Sequence, residues 1–190
     1  MSSPIAHGLV AVSIFALVSS TTIPTLKIRL PTFSQLIGLT AIACLPDFDF
    51  ILALITSAVK HRGITHSIIF VVAFWLATRL FHRNKSAHSR RWGFLLTLVV
   101  ASHILVDLTV QDGVHPTTLQ LFWPFELEFT FNQFLPLFPP INWVMWTLNW
   151  QQSLPFIELL WIGLWEAAAG AAILVLAISY LRIKFYLSNR

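Results

Sequence analysis

The chain alternates long apolar runs with short polar breaks. Residues 5–23 are apolar apart from His7 and small hydroxyls. At 1.5 Å per residue such a run approaches the roughly 20 residues needed to cross a bilayer. Pro24 and Pro31 bracket a connection that carries Lys27 and Arg29. The next apolar run, 33–59, is interrupted at Pro46. Proline removes a backbone donor and clashes with the preceding turn, so a break is expected there, buried in protein or lining a cavity. Residues 60–66 form a polar connection centred on Gly63, and 67–81 read as a third span with Thr65 or Ser67 available as N-cap. A basic loop, 82–91, precedes a fourth span, 92–110. Residues 111–156 carry six prolines, several aromatics and no Lys or Arg, which suits an interfacial or re-entrant segment. Residues 157–181 form the last span, and its Ala167–Ala172 stretch of Ala and Gly permits close helix packing. The pattern predicts an all-α, multi-pass membrane protein of about five spans, built as one domain over 1–190.

Composition agrees with that pattern. Hydrophobic residues make up 56% and charged residues 11%, against about 25% charged in soluble domains. The net charge of +4 therefore gives no reason to expect nucleic acid as a partner. The placement of the charges says more. With five spans, one face holds Lys27, Arg29, Arg79, Arg83, Lys85, Arg90, Arg91, Arg182, Lys184 and Arg190, and the other only Lys60 and Arg62. By the positive-inside rule the first face is cytoplasmic, the N-terminus lies outside and the C-terminus inside. No basic region precedes the first apolar run, so it reads as a membrane helix and not a cleaved leader. The single cysteine, Cys44, excludes an intramolecular disulfide and any CxxC motif.

Against this apolar background the ionisable residues stand out, because such groups at membrane depth are costly and mark functional sites. His103 and Asp107 are four apart and share one helix face, which suits joint metal coordination or an Asp orienting a ligand His. Asp47 and Asp49 would point apart on a helix; a non-helical turn at Pro46 lets both converge, and two close carboxylates call for a cation between them. In His61-Arg62-Gly63-Ile64-Thr65-His66, Gly63 permits an unusual backbone that brings both histidines to one turn, and Arg62 is suited to a phosphate. His7, His115 and Glu126 fall on the same outer side, with Glu126 a ligand or base. His82 and His88 lie in the basic loop. Imidazole with carboxylate favours zinc, with manganese or magnesium as alternatives. Glu166, deep in the last span, either pairs with a site histidine or sits in a wet crevice.

PDFD (46–49), HRGITHS (61–67), HILVDLT (103–109) and the later Gly113 with Trp123-Pro124-Phe125 resemble the YdjM-like family. These are inner-membrane, metal-dependent hydrolases by prediction, some under LexA control in the SOS response, and considered distant relatives of zinc-dependent phospholipase C. The match runs from His7 to about Glu126; where the family carries Thr-His, this chain carries Ala6-His7. The resemblance implies a metal-dependent hydrolase acting on a membrane lipid, a phospholipid or related phosphodiester, at the outer face. His7, Asp47, Asp49, His61, His66, His103 and Asp107 are then the expected ligands, Asp49 or Glu126 the general base and Arg62 the phosphate contact. A transporter of divalent metal or protons, or a non-catalytic protein whose polar network ties helices together, are the alternatives.

Overall fold

The computed structural model describes residues 4–20, 30–49, 55–56, 62–109, 119–125, 127–128 and 156–188. Among them the secondary structure is helical, without a β-strand. Five α-helices follow in order: α1 (Pro4–Ser20), α2 (Phe33–Ala43), α3 (Ile68–Phe81), α4 (Ala87–Leu108) and α5 (Phe156–Ser188). They correspond one to one with the five apolar runs. Two 3-10 turns, Leu45–Asp47 and Ile64–His66, stand between α2 and α3.

Local chemistry sets the helix ends. At the start of α2, Thr32 Oγ1 accepts from the Gln35 N–H and Gln35 Oε1 accepts from the Thr32 N–H, a reciprocal capping box. The helix stops at Ala43, three residues before Pro46, which enters the first 3-10 turn. The 33–59 run is thus broken earlier than its apolar length suggests. Ser67 caps α3 by accepting from the Phe70 N–H at 3.2 Å. Ser86 caps α4, which therefore begins five residues before the expected 92 and takes His88, Arg90 and Arg91 into its first turns. Likewise α5 continues past 181 through Arg182 and Lys184. Charge at a membrane border does not stop a helix; a cap does. Most of the proline-rich segment 111–156 lies outside the described residues.

Helix α1 is central, packing on α2, α4 and α5, while α3 packs on α4. Two glycines permit the approach. A Cβ on Gly8 would lie 2.8 Å from Thr40 Oγ1 of α2, and one on Gly170 would lie 2.6 Å from Leu9 Cβ, so the Ala167–Ala172 stretch meets α1 where only hydrogen fits. Between α1, α2 and α4, Ala11, Phe15, Leu39, Ala43, Leu95 and Val99 form an apolar layer.

The outer surface is apolar. By length and composition α4 (22 residues) and Leu160–Leu187 of α5 (28 residues) can cross a membrane, and α1, α2 and α3 are shorter apolar helices. Only 17% of the most apolar window of α5 is buried, against 61% for α4. Trp161, Leu164, Trp165, Leu176 and Ile183 are all at least half exposed, a surface that water would not tolerate and lipid would.

Candidate metal centre

One turn beyond the apolar layer, the interior becomes polar. His103 follows Val99 by four residues on α4, and Asp107 follows by four more; both are fully buried. His66 arrives from the second 3-10 turn and is fully buried, and Asp47 from the first, partly exposed. One ligand atom from each of Asp47, His66, His103 and Asp107 lies within 4.8 Å of the others.

The proton bookkeeping of the two imidazoles decides what this cluster wants. His103 Nδ1 is 2.7 Å from the Ala43 carbonyl oxygen, which can only accept, so Nδ1 carries the proton. His66 Nδ1 is 3.2 Å from Asp49 Oδ2, again an acceptor. In the neutral rings both Nε2 atoms are then lone pairs, and they face each other at 3.1 Å. Asp47 Oδ1 is 3.6 and 3.5 Å from the Nε2 atoms of His66 and His103, and Asp107 Oδ2 is 3.4 and 3.6 Å from them. Four electron-rich atoms pointing at one spot repel one another unless a cation or proton sits between them. With both imidazoles neutral, three carboxylates and the Arg62 guanidinium sum to two negative charges among the described residues here, the charge that a divalent cation cancels. The ring of His66, in the turn between α2 and α3, reports the same demand. Burial disfavours its charged form, but hydrogen bonds to Asp107, Asp47 and Asp49 outweigh that and push it up to about 10.

The remaining residues hold this group in place. Asp49 Oδ2 accepts from the Arg62 N–H at 3.0 Å, from the Thr65 hydroxyl and from His66 Nδ1. Arg62 adopts the left-handed conformation, φ 66°, and Gly63 after it, at φ −87° and ψ −118°, lies outside the usual α and β regions, so the unusual backbone expected at Gly63 is there and begins one residue earlier. Its Nε approaches Asp107 Oδ2 at 3.8 Å. His7 stacks on His103, rings 3.9 Å apart and 13° from parallel, and its Nε2 lies 3.6 Å from Asp107 Oδ1. Asp107 thus offers one oxygen to the cluster and the other to His7.

A family model described as "YdjM inner membrane protein" matches residues 1–190. The chain belongs to the YdjM family. Among curated proteins and among solved structures nothing matches it. As a YdjM-family protein it is one of a family of inner membrane proteins, which accounts for the apolar outer faces of α3 and α5, and its His/Asp cluster could hold a metal ion.

Of the expected site residues, Asp47, His66, His103 and Asp107 converge as one ligand set. Asp49 is buried beside them, but its Oδ2 serves His66 and the Arg62–Thr65 turn. His7 lies next to Asp107, outside the four-atom group, and Arg62 lies at its edge. His61, His115 and Glu126 fall outside the described residues. Two contributors had escaped sequence reasoning: the Ala43 carbonyl, which has no residue-type signal, and Thr65, read only as a possible cap although its hydroxyl stands in the same string as His66.

Proposed function

We infer that this protein is a metal-dependent hydrolase of the inner membrane, acting on a phospholipid or related lipid phosphodiester at the outer face. The observation that carries the reading is the convergence of four acceptor atoms with both imidazole protons committed elsewhere. Zinc suits the set: imidazole nitrogen and carboxylate oxygen are its usual donors, and five of the donor spacings here are 3.1–3.6 Å. Manganese or magnesium would be alternatives of the same charge.

Asp47, His66, His103 and Asp107 would hold the ion. When bound, it supplies Lewis-acid chemistry, polarising a phosphoryl oxygen and lowering the pKa of a water. Arg62 presents a guanidinium at the edge of the group, suited to orient a phosphodiester. Asp49 holds His66 in the tautomer that leaves Nε2 bare. With one oxygen already accepting three donors it fits that role better than general base, which leaves Glu126 for the base.

Access favours a lipid. Asp47 is the one ligand of the four with measurable exposure. Phe48, next to it, is 60% exposed, and Ile64, two before His66, is exposed. Phe122 and Phe125 are exposed too, on a segment tied to the same turn through Gln120 N–H to Arg62 O and Ile68 N–H to Leu121 O. A partly exposed carboxylate ligand with exposed apolar side chains in the adjoining turns suits an amphiphile arriving from the bilayer.

The test is a turnover screen on the metal-loaded protein over phospholipids and lipid pyrophosphates, with liposome metal flux in parallel. Chelator-sensitive release of a water-soluble headgroup, lost in Asp107→Asn, is the expected result. Flux without turnover would make the site a transport site and overturn the hydrolase reading.

A further inference from the structure

At the far end of α4 from the His/Asp cluster, α3 and α4 enclose a second polar feature. Gly93 lets the helices close: a Cβ there would lie 3.0 Å from His82 Cδ2 and 3.4 Å from Thr78 Cβ. Beside this contact is a cavity of about 70 Å³ lined by Trp75, Arg79, His82, Arg90 and Phe94. A water needs about 10–15 Å³ on this measure, so a compact anionic group fits. Both arginines are pinned at the rim. Arg79 lies over the Trp75 ring, 5.2 Å from its centroid, and Arg90 Nη1 donates to the Lys85 carbonyl at 2.9 Å. His82 Nδ1 and Ser89 Oγ, 2.6 Å apart, fix the floor. No Asp or Glu occurs between Trp75 and Phe94.

We propose that this cavity binds the phosphate of an anionic phospholipid in the leaflet of the basic face. Two guanidinium groups carried by residues that line one cavity offer a phosphate charge and paired donors at its rim, and the first turn of α4, behind the Ser86 cap, adds the positive end of its dipole. Phe94 is 53% exposed on the same wall, and Leu80 and Phe81 are more exposed still. These side chains offer an acyl chain an apolar track, for which a free phosphate has no use. Arg90 and His103 are thirteen residues apart on α4, about 20 Å, so the bound lipid is not the substrate of the His/Asp cluster; it clamps the α3–α4 hairpin at the opposite leaflet.

The experiment is native mass spectrometry of the full-length protein after detergent exchange, offered phosphatidylglycerol or phosphatidylcholine, with inorganic phosphate as competitor. The variant is Arg79→Gln with Arg90→Gln; the control, Arg83→Gln with Lys85→Gln, removes equal charge from the same loop outside the cavity. The parent should retain phosphatidylglycerol over phosphatidylcholine, and millimolar phosphate should not displace it. The cavity variant should bind at least about 30-fold more weakly, from the loss of two charge-assisted phosphate contacts, and the control should lose less than about threefold. Equal losses in both variants would show diffuse surface charge, displacement by phosphate a soluble-anion site, and equal retention of phosphatidylcholine no headgroup recognition; each overturns the proposal.

Discussion

Asp49 Oδ2 gathers three donors from one turn, and one of them is the His66 proton whose position leaves Nε2 bare. Asp49→Asn keeps the shape but weakens that hold, so metal affinity measured by competition with a chelator dye should fall about 10–100-fold. Arg62 offers a cleaner separation of roles. Its left-handed backbone is one that glycine adopts freely and other residues adopt at about 1–3 kcal/mol. Arg62→Gly should therefore retain metal and folded yield while raising KM for a lipid phosphodiester; loss of metal instead would make the guanidinium part of the ion's own support. The turn histidine sets the pH response. With its pKa raised from 6.5 to about 10 in the fold, protonated His66 stabilises the metal-free protein fully below about 6.5, and that contribution is lost as pH rises through about 10. Metal competes with the same proton, so apparent affinity should increase by up to about tenfold per pH unit over the range where the ring is protonated. A flat affinity profile from pH 7 to 9 would place the ion elsewhere.

At the scale of helices, close approach around α1 carries the site, since α1 brings His7 and supports the layer beneath His103. Gly8→Val and Gly170→Val each place a Cβ where 2.8 and 2.6 Å remain. Both should destabilise the protein by about 1–3 kcal/mol, read as a lower melting temperature in detergent; Gly38→Ala, where a Cβ meets nothing within 4 Å, is the control and should leave it unchanged. Much of this level was readable in advance. Each of the five apolar runs carries an α-helix among the described residues, and the i, i+4 spacing of His103 and Asp107 placed both on one face because helix geometry alone dictates it. What could not be read depended on contacts distant in sequence. The Ala43 carbonyl meets a histidine sixty residues away, and any residue type has a carbonyl. The division of labour between Asp47 and Asp49 arises from the 3-10 turn that contains Pro46, which turns one carboxylate to the cluster and the other to His66 Nδ1. The unusual backbone expected at Gly63 begins one residue earlier, at Arg62, whose N–H is held by Asp49, a partner thirteen residues away.

Across the whole molecule, a five-span topology would put ten of the twelve basic residues on one face and two on the other, and so sets the expected sidedness. With Cys44 replaced by Ala, a cysteine at Asn84 should react with an impermeant maleimide only from the cytoplasm, and one at Thr118 only from outside. The reverse pattern would put the His/Asp cluster on the cytoplasmic side and remove the outer-leaflet substrate.

The claim on which the rest depends is that Asp47, His66, His103 and Asp107 hold one divalent ion. Elemental analysis of the full-length protein, grown in metal-replete medium, purified in detergent and dialysed, measures it directly. Near one equivalent of metal is expected in the parent and in His88→Gln, whose ring sits in the first turn of α4, far from the cluster. Asp47→Asn, His66→Gln and Asp107→Asn should each lose it while still eluting as folded protein on size exclusion. A parent without metal, or three folded variants that all keep it, would contradict the account.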